Sequence, residues 1–172
     1  MRRRVNLRGA AASLLVATSA FMLQPAQGVD EPQDWRQFRG PAGSASGDGR
    51  LPAEWNGHVR WRAELPGPGG SSPIVVGRRI FLTCYSGYGI DAESPGERQN
   101  LVRHLLCFNR DDGKLLWRRE VPAEEVVARY VDFLQQHDYA TSTPVSDGER
   151  VYVSLENSGV HAFNLAARRI LG

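Results

Sequence analysis

The sequence predicts an all-β chain of repeated, four-stranded antiparallel sheets, and three observations predict it. First, Val59-Arg60-Trp61-Arg62-Ala63-Glu64-Leu65-Pro66 recurs as Leu115-Leu116-Trp117-Arg118-Arg119-Glu120-Val121-Pro122, 56 residues later. Second, Pro73–Leu82 recurs as Pro144–Val153 at an offset of 71, and Cys107-Phe108-Asn109 recurs as Ala162-Phe163-Asn164 at an offset of 55. Third, short β-rich runs are separated by turn signals at Gly77 and at Asp112-Gly113, close enough together to be hairpins. A period in the fifties with several short strands per unit marks the blades of a propeller. The prediction is therefore a partial β-propeller of about two four-stranded antiparallel blades, residues 59–122 and 139–172, the second incomplete, with one inserted helix.

Taken in order, residues 1–28 read as a secretory signal peptide. Met1–Arg8 is basic, Gly9–Leu23 is small and apolar, and Ala26 and Gly28 offer small residues before a cleavage point. The apolar run is too short for a membrane span, so stable insertion is not expected once it is cleaved. Residues following the run contain no lipoprotein cysteine, and the expected location is the periplasm or another extracytoplasmic space. Residues 29–58 form a lead-in, and residues 59–65 a leading strand. The first blade then places strands at Ile74–Val76, Arg79–Cys84, His104–Asn109 and Leu115–Val121, with a glycine-rich insertion over 85–103.

Residues 124–136 predict the inserted helix, because Val126, Val127, Tyr130, Val131 and Leu134 share one helical face and Pro122, Glu124 and Glu125 suit its start. The second blade places strands at Val145, Arg150–Leu155 and Gly159–Asn164. Its end departs from the repeat: Arg168 stands at the turn-glycine position and Gly172 where a tryptophan is due. The expectation is three strands only, an open edge at 159–164, and a fragment or truncated product whose open edges favour self-association.

Charge narrows the function classes. Four arginines of the 21 basic residues lie in residues 1–28, which leaves 17 basic against 19 acidic from residue 29 onward. That balance removes the electrostatic footprint of a nucleic-acid binder. Export would permit a disulfide between Cys84 and Cys107, although such apolar runs favour two buried free thiols.

The run Cys107-Phe108-Asn109-Arg110-Asp111-Asp112-Gly113-Lys114-Leu115-Leu116-Trp117 resembles the tryptophan-docking repeat of PQQ-type (quinoprotein-like) propellers, Ala-x-Asp-x-x-Thr-Gly-x-x-x-Trp. Cysteine replaces alanine, Asn109 stands for aspartate and Asp112 for threonine, while Gly113 and Trp117 are kept. The resemblance implies that the tryptophan stacks across to the neighbouring blade, with the glycine turning tightly beneath it. The structural docking motif is thus Asn109, Asp112, Gly113 and Trp117. Asp34-Trp35-Arg36-Gln37-Phe38-Arg39-Gly40-Pro41, Leu51-Pro52-Ala53-Glu54-Trp55 and Tyr139-Ala140-Thr141-Ser142-Thr143-Pro144 resemble exported bacterial proteins of this kind, which are similar to the outer-membrane protein assembly factor propeller.

A search for chemistry finds little in sequence. His58, His104, His137 and His161 have no metal-ligand spacing, and Asp91, Glu93 and Glu97 match no calcium loop. Ser71-Ser72 and Ser142-Thr143 introduce the first strand of each blade without a recognisable base. Tyr85 and Tyr88 could form an aromatic surface or pack on the blade rim. A PQQ dehydrogenase of the resembled family carries a vicinal cysteine pair, calcium ligands and an aspartate base, none of which can be matched here. The sequence therefore suggests a non-catalytic exported module that binds protein partners as a scaffold, without catalytic, cofactor-binding or metal residues. The alternative is a piece of a PQQ-dependent quinoprotein dehydrogenase.

Overall fold

A computed structural model describes residues 33–46, 54, 57–123, 139–155, 158–166 and 169–171. The signal peptide, part of the lead-in and the helix expected over 124–136 lie outside the described residues.

The described chain is all-β, with two antiparallel sheets and a 3₁₀ turn at Arg98–Asn100. The first sheet runs in sequence order through β1 (Ile74–Val76), β2 (Arg79–Ser86), β3 (Val102–Asn109) and β4 (Leu115–Pro122). The second runs through β5 (Val145–Ser146), β6 (Arg150–Ser154) and β7 (Val160–Asn164), with β8 (Arg169–Leu171) as a short fourth stretch beside β7. Hairpin turns at Gly77 and Asp147-Gly148 follow from local chemistry. Gly77 takes φ +54°, and Asp147 Oδ1 accepts the Glu149 and Arg150 N–H groups at 2.8 and 2.7 Å, closing the turn with a side chain.

Alternation along the strands decides what each face meets. Phe81, Cys107 and Trp117 are cross-strand partners, as are Tyr85, Arg103 and Val121. On this face Ile74, Val76, Phe81, Leu105, Cys107 and Val121 pack against Val151, Val153, Leu155 and Phe163 of the second sheet, so one apolar core joins the sheets. On the opposite face Cys84, Leu106 and Phe108 form a smaller cluster with Ile80, Leu82 and Ala63.

Two sequence expectations need correction. The segment 59–65 matches β4 residue by residue yet carries no strand, because strand structure needs a ladder and these residues pair with no described strand. The second sheet, conversely, has a fourth stretch where none was expected. Ala162 pairs with Leu171 and Phe163 with Arg169, with a register shift between them. The first sheet shifts at the same place in the repeat, between Cys107 and Phe108, where Cys107 pairs with Trp117 and Phe108 with Leu115. Leu171, not Gly172, therefore stands in the register of Trp117. The backbone ladder forms without the glycine and tryptophan of the motif.

Candidate functional site

The residues singled out from sequence gather at the turn between β3 and β4. Asn109 Oδ1 accepts the Asp111 N–H at 2.8 Å and Asp112 Oδ1 accepts the Lys114 N–H at 3.0 Å, two side-chain turns in succession. The backbone closes the loop through Asn109 N–H to Lys114 O at 2.8 Å and Gly113 N–H to Asn109 O at 2.9 Å. The N–H of Lys114 holds the Asp112 carboxyl below the usual carboxylate range. Asn164 repeats the role of Asn109 in the second sheet, accepting the Ala166 N–H at 3.0 Å.

Gly113, at φ +71°, leaves room for a tryptophan, and that tryptophan is Trp61. A Cβ on Gly113 would stand 2.5 Å from Trp61 Cε3, and the Trp61 indole N–H donates to Arg110 O at 2.8 Å. Trp117 makes the equivalent reach into the second sheet. Its indole N–H donates to Leu165 O at 3.1 Å, and its ring lies 5.6 Å from Phe81 at an interplanar angle of 53°. Arg110 and Leu165 occupy the same place in the repeat, so one docking geometry occurs twice. Despite Arg168 at the turn-glycine position, Trp117 keeps its hydrogen bond to the second sheet. The sequence identified Trp117 and Gly113 in one motif, whereas in space Gly113 serves Trp61. The recurrence of Trp61 at an offset of 56 was the available signal.

The lead-in motif fastens one edge of each sheet. Trp35 exchanges two 2.8 Å backbone hydrogen bonds with Val75 of β1, and its ring lies over Gly40. Asp34 Oδ1 accepts the Gly77 N–H at 2.6 Å while Oδ2 pairs with Arg36. Burial raises the Asp34 pKa, but the Gly77 N–H and the Arg36 guanidinium outweigh it and hold the carboxyl low. Arg36 O in turn accepts the Ser146 N–H at 2.8 Å from β5. A cavity of about 430 Å³ lies here, lined by Gln33, Asp34, Arg36, Gln37, Pro41 and Ser146. Two of its polar side chains already have partners: Gln37 donates to Gly40 O, and the Ser146 hydroxyl to Arg150 O.

The strand-leading hydroxyls join the sheets as well. Ser71 Oγ donates to Thr83 O and accepts the Thr83 N–H, and Thr143 Oγ1 accepts the Ser72 N–H. Thr83, 1% exposed, donates to Ala140 O and Ser142 O at 2.9 and 3.1 Å. Tyr85 and Tyr88 are buried against Tyr139, so they pack and present no open aromatic surface.

Cys84 and Cys107 carry no disulfide and are buried on opposite faces of the first sheet, which rules out a bond between them in this fold. Burial pushes the Cys107 thiol up to about 12, against a smaller opposing pull from Arg79. His58 is exposed, and His137 lies outside the described residues. His161 contacts Ser158 O at 2.7 Å and stacks on Phe163. His104 has a different setting, missed from sequence: Ser86 on β2, His104 on β3 and Glu120 on β4 meet on one face, which only the register of three strands reveals.

The donor set of the described residues does not fit PQQ with calcium. Among the described residues no three His, Cys, Asp or Glu side chains converge as metal ligands, and the cysteines cannot act as a pair. Among the same residues no helix is long and apolar enough to cross a membrane. No family model matches the chain, and no curated protein matches it.

Proposed function

We propose that the two sheets are neighbouring blades of a PQQ-type, tryptophan-docking β-propeller, and that the chain is an exported module serving as a protein-binding or assembly scaffold outside the cytoplasm. The observation that carries the fold reading is the repeated docking: Trp61 to Arg110 O and Trp117 to Leu165 O, each from an outer-strand sequence to the turn of the next sheet. The lead-in supports it by tying β1 and β5, the first strand and one edge of each sheet. The charged and apolar segments of residues 1–28 support export.

The scaffold reading rests on surfaces. The outer strand β4 presents Leu115 and Leu116 at 50% and 48% exposure, and open strand edges recruit other chains. A photo-crosslinking residue at Leu116, introduced into the chain expressed with residues 1–28, tests it in a bacterial envelope. A discrete adduct with one envelope protein supports the scaffold. Recovery of folded chain in the cytoplasm, or in the envelope with no adduct, refutes it. A saturable absorbance change on adding PQQ with Ca²⁺ would transfer the chain to the dehydrogenase reading.

A further inference from the structure

We infer that Ser86, His104 and Glu120 form a nucleophile–base–acid set that accepts a short, uncharged acyl group from an ester. The three residues come from adjacent strands on the face of the first sheet that points away from the second. Ser86 Oγ lies 2.8 Å from His104 Nε2. The His104 side chain is buried, its Nδ1 has no hydrogen-bond partner among the described residues, and that atom stands 3.9 Å from Glu120 Oε1. Cys84 and Glu120 are the direct cross-strand neighbours of His104, and Arg118 holds Glu120 at 2.9 Å from the same strand.

This arrangement differs from an ordinary core histidine. A buried ring nitrogen without a partner is costly, and here it faces a half-exposed carboxylate oxygen 3.9 Å away. A neutral imidazole carries one proton. With that proton on Nδ1, facing Glu120, Nε2 presents its lone pair to the Ser86 hydroxyl. Burial pushes the His104 pKa down, partly opposed by Glu120 and reinforced by Arg118, which favours the neutral ring. Ser86 is only half-buried, unlike His104, so its hydroxyl is not sealed from solvent. The neighbouring side chains Cys84 and Leu106 are apolar, which suits an uncharged acyl group.

The chemistry balances without a cofactor. The Ser86 Oγ–carbon bond forms at the ester carbonyl as the hydroxyl proton moves to Nε2. The ester C–O bond then breaks, and the departing alcohol takes that proton. Water, deprotonated by Nε2, releases the carboxylic acid and restores Ser86, so ester and water become acid and alcohol. Glu120 is a positioning residue, acting through the imidazole.

The test uses the full chain with a fluorophosphonate probe, the labelled residue mapped by peptide mass spectrometry, and p-nitrophenyl acetate for turnover. The expected result is label on Ser86, and a loss of about 100-fold or more in labelling rate for His104→Gln. Glu120→Gln keeps the label on Ser86 but displaces the pH profile of the rate. Because His104→Gln alters a buried ring, Ser86→Cys gives a second measurement. The introduced thiol should be alkylated with an apparent pKa below the ordinary cysteine value. Folded wild-type chain that takes no label at Ser86, or an ordinary thiol pKa in Ser86→Cys, overturns the inference.

Discussion

Replacing Gly113 by alanine tests the docking geometry against a matched control in the same sheet. Gly113 sits at φ +71° and Gly77 at φ +54°, so alanine strains the backbone at both by about 1–2 kcal/mol. Only their surroundings differ. A Cβ at Gly77 meets nothing within 4 Å, whereas at Gly113 it would stand 2.5 Å from Trp61 Cε3 and 2.6 Å from Cδ2. The indole must move. Moving it breaks the 2.8 Å hydrogen bond to Arg110 O, worth about 1 kcal/mol, and lifts a large ring from its seat at about 1 kcal/mol more. Gly113→Ala should therefore cost about 3–4 kcal/mol, and Gly77→Ala about 1–2 kcal/mol. The gap of about 2 kcal/mol corresponds to roughly 6 °C in Tm for a chain of this size. Urea unfolding followed by far-ultraviolet circular dichroism measures both. In a Trp61→Ala background the excess cost of Gly113→Ala should vanish, since the two residues are coupled only through the overlap. Equal destabilisation by the two glycine substitutions in the wild-type background would refute the docking argument.

The other predictions follow from single groups. N–H groups of Arg150 and Glu149 and the Tyr152 hydroxyl hold the Asp147 carboxyl down to about 2. A depressed folded pKa gives stability that is present above the unfolded value near 4 and lost as pH falls toward 2. Acid unfolding of Asp147→Asn should accordingly be less steep than wild type between pH 4 and pH 2, and parallel curves would refute the assignment. Cys84 and Cys107 should both resist a disulfide-exchange reagent at pH 8 and both react in urea; a native thiol that reacts within seconds contradicts their burial. Thr83→Val removes the hydroxyl shared by Ala140 O and Ser142 O. A loss of about 1–3 kcal/mol in urea midpoint analysis is expected, and an unchanged midpoint would show that the bridge contributes nothing.

Strand positions were legible where local chemistry alone sets them. Ile74–Val76 was expected as observed, and β2, β3, β4, β6 and β7 differ from expectation by one or two residues at their ends. Gly77 and Asp147-Gly148 mark their turns whatever the rest of the fold does. β8 is hidden in the sequence because fixed repeat spacing puts Gly172 opposite Ala162, whereas the observed pairing is one residue shorter and brings Leu171 there. The Ser86–His104–Glu120 set was illegible for a different reason. Its members lie 18 and 16 residues apart in sequence, and they share a face only through the pairing of Cys84 with His104 and of His104 with Glu120.

The near-duplicate segments 59–66 and 115–122 separate two interactions that ordinarily occur together. Both keep tryptophan, arginine, glutamate and proline in the same places, yet 115–122 is a strand laddered to β3 and 59–65 is not. Their tryptophans nevertheless do the same thing, donating from the indole to the backbone oxygen just past the Asn109 or Asn164 turn. Docking therefore does not require the ladder. The second sheet gives the converse, since β8 pairs with β7 in the register that Trp117 takes against β3, but with leucine at that position. Ladder and docking are encoded by different features: the first by alternation and turn chemistry, the second by an indole and an open turn opposite it. The tryptophan contact therefore joins one repeat to the next, and the backbone pairing holds each repeat together.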